Sequence, residues 1–164
     1  MKKLPYSDGT WFLIPLRSGG FARGLIARHN GKGSAFGYFF GPKLSAPKQE
    51  IPEGLTPDKR ILWGRFGDLG LTNGSWPILG SRDHWNPDEW PMPSFVRIDE
   101  HAGIAFISTY DPKTFKCISE KRCAPEIAET YPYDQMMGSG AAEIRLTKLL
   151  DRNEEKGRAA DSDL

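Results

Sequence analysis

Several things are scarce in this chain, and each scarcity narrows its chemistry. Among 164 residues there are only two cysteines, Cys117 and Cys123, five residues apart in the gap between them. A disulfide framework or a zinc knuckle needs more thiols or tighter spacing, so the two read as reduced thiols of a cytoplasmic protein. Histidines number three, His29, His84 and His101, and none forms the H-x-H or H-E-x-x-H pair that grips a metal. Long apolar runs are also missing, since no stretch approaches the roughly 18–20 residues that cross a bilayer. Lys2 and Lys3 could open a signal peptide, but Pro5, Ser7, Asp8 and Gly9 interrupt the apolar stretch that would have to follow. An excess of charge is absent as well: 22 basic residues face 21 acidic ones, for a net charge of +1. That balance excludes bulk electrostatic binding of nucleic acid, and a uniformly acidic surface that imitates it. The expected chain therefore has no direct nucleic-acid partner, no membrane partner, no cofactor and no metal.

Turn residues and aromatics are abundant. Asp8-Gly9, Ser18-Gly19-Gly20, Asn30-Gly31, Asn73-Gly74 and Ala102-Gly103 separate apolar runs of strand length. Glycine and asparagine supply the positive φ that tight hairpin turns require. The runs between them predict strands at Trp11–Leu16, Phe21–Arg28, Ser34–Phe40, Arg60–Phe66, Trp76–Leu79, Phe95–Ile98, Ile104–Tyr110 and Phe115–Ser119. Two hairpins are legible, one across Arg17–Gly20 and one across Asp99–Gly103. Pro15 lacks an N–H, so its strand should be an edge there or carry a bulge. The fold class expected is mainly β (α+β): a small antiparallel β-barrel or sandwich with one or two short C-terminal helices. Ala124–Glu129 suits a short helix with Pro125 in its first turn. Residues 141–151 fit both periods, with Ala142, Leu146, Leu149 and Leu150 on one helical face. The helix is favoured because Ala, Leu, Glu and Lys dominate. One domain over 1–152 is expected, with a polar flexible tail over 153–164.

Two stretches break the strand pattern. Residues 41–58, with four prolines, read as a long surface loop. Residues 80–93 combine tryptophan, proline and acid, and hold the best local cluster of polar groups: Asp83, His84, Asp88 and Glu89 beside Trp85 and Trp90. Tryptophan anchors dominate protein interfaces, and a charged rim gives them specificity. These six residues form the candidate partner-binding site. The competing reading is a solvated acidic loop whose tryptophans are buried. No catalytic residue is assigned. Gly64–Gly70 lacks both the dinucleotide and the P-loop order, and reads as a turn, with Trp63 packed on Phe66 and Arg65 near Asp68. No G-x-S-x-G elbow marks a nucleophile.

The run Gly9-Thr10-Trp11-Phe12-Leu13-Ile14-Pro15-Leu16 resembles the first strand of the immunity protein 26 family. The Gly64–Gly70 run, the pair Trp76-Pro77 and the closing Gly138-Ser139-Gly140-Ala141-Ala142-Glu143-Ile144 are similar to further landmarks of that family, and the resemblance spans roughly residues 9–150. It implies a mostly β bacterial protein, encoded beside a polymorphic toxin, that binds and neutralises that toxin by direct contact; such toxins are often nucleases. The same grouping contains a small phosphotriesterase-like branch. A metal-dependent hydrolase is therefore the alternative expectation, and a generic β-rich binding domain the third. Hydrolysis assisted by metal needs several ligands around an open position, which three scattered histidines supply poorly.

Overall fold

The computed structural model describes residues 3–162. Nine strands form two sheets, arranged like a sandwich and not closed into a barrel. The larger sheet has the order β5-β1-β2-β3-β4-β9. Its members are β1 (Thr10–Pro15), β2 (Phe21–His29), β3 (Ser34–Leu44), β4 (Leu62–Gly67), β5 (Ile78–Ser81) and β9 (Met136–Met137). The smaller sheet is β6-β7-β8, built from Phe95–Asp99, Ile104–Tyr110 and Cys117–Cys123. Neighbours pair antiparallel except β4 and β9, which meet in parallel at Arg65↔Met136 and Phe66↔Met137. A four-residue helix, α1 (Leu69–Thr72), follows β4, and a long helix, α2 (Ser139–Ser162), closes the chain.

Both expected hairpins form, β1–β2 and β6–β7, with Trp11 opposite Leu25 and Val96 opposite Ile107. Pro15 pairs with Phe21, but β5 reaches β1 only at Thr10–Phe12, so no neighbour on that side needs its missing N–H.

The continuous apolar character of β1 and β3 follows from burial on both faces of the larger sheet, the condition under which a strand ceases to alternate. One face carries Phe12, Ile14, Ile26, Phe39 and Phe66 against Trp76, Met137 and the α2 residues Ala142, Leu146 and Leu150. Phe12 lies parallel to Trp76 at 5.7 Å and edge-on to Phe39 at 6.1 Å. Such pairs contribute about 0.5–1.5 kcal/mol each beyond their area. Gly24, across from Phe12 in the ladder, makes this packing possible, because a Cβ there would come within 2.4 Å of the ring. The opposite face carries Trp11, Leu25, Ala27, Phe36, Tyr38 and Phe40, covered by Trp90 and Phe95. Phe95 of β6 meets Phe36 at 5.7 Å and so holds the small sheet onto the large one.

Two differences from the sequence reading have physical causes. The closing helix is 24 residues long, not short, and runs past Asn153, where a polar tail was expected. Among the described side chains the buried apolar stripe ends at Leu150, and residues 152–157, with helix-forming Glu, Lys and Arg among them, are exposed. Residues 163–164 of that tail lie outside the described residues. The short helix expected after Ala124 forms over residues 125–130 as a 3-10 helix with Pro125 in its first turn. Trp63 and Phe66 do not pack together; they point to opposite faces of β4, as residues three apart in a strand must.

Candidate functional site

The segment between β5 and β6 lies over the second apolar face and is fastened there by its own backbone carbonyls. Arg28, near the end of β2, is the principal clamp. Its Nη1 donates to Ala27 O at 2.6 Å and to Trp90 O at 3.1 Å, while Nη2 donates to Pro87 O at 3.0 Å. The fixed fork of a guanidinium suits this task, because one plane serves several acceptors. The Tyr38 hydroxyl donates to Pro91 O, and Arg82 donates to Pro52 O, which ties the segment to the neighbouring proline-rich loop. Burial pushes the Tyr38 hydroxyl up to about 12, against the pull of the Arg60 and Arg28 charges, so it remains a donor at neutral pH.

The six residues expected to meet a partner divide into two groups. Trp90 is 8% exposed and sits edge-on to Tyr38 at 5.2 Å, Trp11 at 5.9 Å and Phe40 at 6.0 Å. It is part of the core and holds the segment down from beneath. Trp85 is half-buried and covers Gly9. Gly9 has φ +93°, and a Cβ there would lie 2.9 Å from the indole, so both the backbone angle and the close approach require glycine. Asp83, His84, Asp88 and Glu89 are all exposed. Asn86 caps the single 3-10 turn Pro87–Glu89 by accepting from Asp88 N at 3.0 Å, which presents Asp88 and Glu89 side by side. His84 holds φ 63°, an uncommon angle for a residue with a Cβ. None of these three carboxylates has a basic partner within 4 Å among the described residues. A cavity of about 170 Å³ lies where Arg82, Trp85, Glu89 and Trp90 face Pro52 and Leu55 of the adjacent loop.

Arg28→Ala should therefore loosen this segment without unfolding the sheet. The expected result is a loss of about 2–3 kcal/mol, from three charge-assisted hydrogen bonds replaced in part by water. Faster proteolytic cleavage within 82–93 should accompany it. Limited proteolysis with mass mapping reads this directly, and an unchanged cleavage pattern would remove Arg28 as the clamp.

The other candidate groups are dispersed. Trp76 belongs to the opposite core, with Nε1 donating to Glu143 Oε2 at 2.9 Å. His29 bonds Asp8 through Nδ1 at 2.6 Å, and His101 is exposed in the β6–β7 turn. Tyr6 donates to Asp68 at 2.8 Å, and its hydroxyl is driven above its ordinary range, first by burial and then by that carboxylate. Asp68 thus accepts from Tyr6, and Arg65 pairs with Asp134 instead of Asp68. Cys117 is exposed and Cys123 half-buried, both as free thiols. Among the described residues no three His, Cys, Asp or Glu side chains gather as a metal site would require, and no helix is long and apolar enough to cross a membrane.

Sequence reasoning found the acidic segment but missed Arg28 and Tyr38, which position it. Their partners lie 62 and 53 residues away in the chain. The signal present was weak: one of the two arginines of β2, and a tyrosine among the phenylalanines of β3.

Comparison with known proteins agrees with the resemblance carried by the strand motifs. No curated protein and no solved structure matches the chain. The family model described as Immunity protein 26 matches residues 7–103, which takes in the strands from β1 through β6 and the whole of the fastened acidic segment. With more than half its length matched, this chain belongs to the immunity protein 26 family.

Proposed function

We propose that the protein neutralises a toxin by binding it directly, through the acidic rim of the segment 82–90. Membership of an immunity protein family supports a toxin as the partner. The observation that carries the location is the combination of Asp83, Asp88 and Glu89, exposed and without basic partners among the described residues, with a backbone clamped by Arg28 and Tyr38. A preorganised loop loses little conformational freedom on binding, so more of its contact energy appears as affinity. Trp85, half-buried beside the carboxylates, supplies the apolar part of the contact. Trp90 supports the surface from below. A local acidic patch on a chain of net charge +1 fits a toxin with a basic active face, as a nuclease has.

The test uses the toxin encoded beside this chain. Asp88→Lys combined with Glu89→Lys should weaken the complex about tenfold or more, mainly by slowing association, and should flatten its dependence on salt. Co-expression of this variant should rescue cells from the toxin less well than the parent does. Unchanged affinity and unchanged salt dependence would remove the segment as the contact surface.

A further inference from the structure

A second site lies where β4 loses its outer neighbour. β9 pairs only with Arg65 and Phe66, so the first half of β4, Leu62–Gly64, has no strand on that side among the described residues. The chain preceding β9 turns away instead. Asp134 goes to Arg65 and Tyr110, and Tyr133 bridges to Val96 of the small sheet. The gap left between β4, residues 131–135 and α2 is a cleft of about 330 Å³, within the size range of small-molecule sites.

The lining of this cleft has a specific chemistry. Arg60 and Arg145 both face it, and neither has a carboxylate within 4 Å among the described residues, unlike Arg17, Arg65 and Arg97. Arg60 places its guanidinium carbon over the Trp63 ring, 3.7 Å from the ring centre, and Nη1 donates to Pro57 O at 2.9 Å. Its guanidinium is thus held in place while its other donors stay uncommitted. Among the described residues Arg145 has a single side-chain hydrogen bond, Nη1 to the Met137 sulfur at 3.5 Å, and a thioether is a weak acceptor. A guanidinium offers five N–H donors, so most of both forks lack partners among the described residues. Trp63, Tyr131 and Tyr133 bring three rings to the same cleft, and Tyr133 is 55% exposed. One carboxylate, Asp58, also lines it, but it is exposed and already accepts the Thr56 hydroxyl.

We propose that this cleft binds a small aromatic anion, a phosphate or carboxylate carried on a planar ring. The two arginines take the anion in forked, charge-assisted hydrogen bonds, and the exposed aromatic surface takes the ring by stacking. The site is independent of the acidic segment: Tyr131, Tyr133 and Arg145 lie outside residues 7–103, and the charge is opposite in sign.

Titration calorimetry on the full chain tests this with four probes: adenosine monophosphate, indole-3-acetate, inorganic phosphate and adenosine. Adenosine monophosphate or indole-3-acetate should bind one to one, and the stronger of the two identifies phosphate or carboxylate as the preferred anion. Inorganic phosphate, without the ring, and adenosine, without the anion, should each bind at least about tenfold more weakly. Arg60→Gln and Arg145→Gln should each weaken the better probe about tenfold, with the melting transition of the protein unchanged. Asp88→Lys should leave this binding as it is, which separates the cleft from the toxin contact. No binding of either aromatic anion at millimolar concentration, equal binding of adenosine, or full binding by both arginine variants would each overturn the proposal.

Discussion

Trp90→Ala should cost about 3–5 kcal/mol of stability, the range for truncating a large aromatic in a packed core. The indole is 8% exposed and edge-on to three rings, so its loss opens a cavity between the sheet and the acidic segment. Two consequences separate this from an interface effect. Urea denaturation of the free protein should already show the loss, before any partner is present. Trp90→Phe should recover a large share of it, because a smaller ring still fills part of the space. If the acidic segment is the toxin contact proposed above, affinity should fall with Trp90→Ala, through displacement of Asp88 and Glu89, and recover along with stability in Trp90→Phe. Asp88→Lys should do the reverse, changing stability by no more than about 0.5 kcal/mol, as exposed substitutions do, while weakening the complex. A Trp90→Ala protein as stable as the parent would show that the indole is not the anchor its packing indicates.

The contrast between Trp90 and Asp88 also shows which properties of the segment were legible in the sequence. Composition alone located it: tryptophan, proline and acid crowd together nowhere else in the chain. Composition could not sort anchor from rim, because a tryptophan at an interface and a tryptophan in a core have the same spelling. The sorting comes from residues far away in sequence. Arg28 reaches Trp90 across 62 positions, and Trp11 meets it from the first strand.

Local signals performed better. Gly19 and Gly20 turn β1 into β2, and the Asp99–Gly103 turn closes β6 on β7, both with φ-positive glycines where the turn needs them. The ambiguous C-terminal stretch resolved to a helix because Ala142, Leu146 and Leu150, four apart, meet the face of the sheet that carries Phe12 and Phe39. Its true length was not legible, since residues 152–157 are exposed and carry no apolar period. The relation of Arg65 to its partner was misread for a general reason. A short-range pairing with Asp68 was available in sequence, but Arg65 faces the small sheet from within β4, while Asp68, past the end of that strand, turns to Tyr6.

That long-range pair yields the second large effect. Arg65 of β4 and Asp134 before β9 form an ion pair whose side chains are 12% and 10% exposed. The guanidinium carbon lies 4.3 Å from the Tyr110 ring centre and 4.8 Å from that of Phe95, and the Tyr110 hydroxyl donates to Asp134 at 2.7 Å. The cluster joins the two sheets and the approach to α2. Asp134→Ala leaves a nearly buried cation without its counter-charge and should cost about 3–5 kcal/mol. The Arg65 Nε already lacks an acceptor, so the charged arrangement is not fully satisfied even when intact. Arg65→Met together with Asp134→Leu should therefore recover most of the loss, because it removes the pair instead of stranding half of it. Denaturation of the two singles and the double measures the coupling, and additive losses would show that the residues act separately.

The pH dependence has a definite sign. Burial, then the bond to Asp134, holds the Tyr110 hydroxyl above its ordinary value of 10.0. A proton bound more tightly in the folded state stabilises it below the unfolded value and ceases to do so as pH climbs through the folded one. The junction should thus weaken in alkaline solution through Tyr110, and Tyr110→Phe should remove that alkaline component while leaving the ion pair in place.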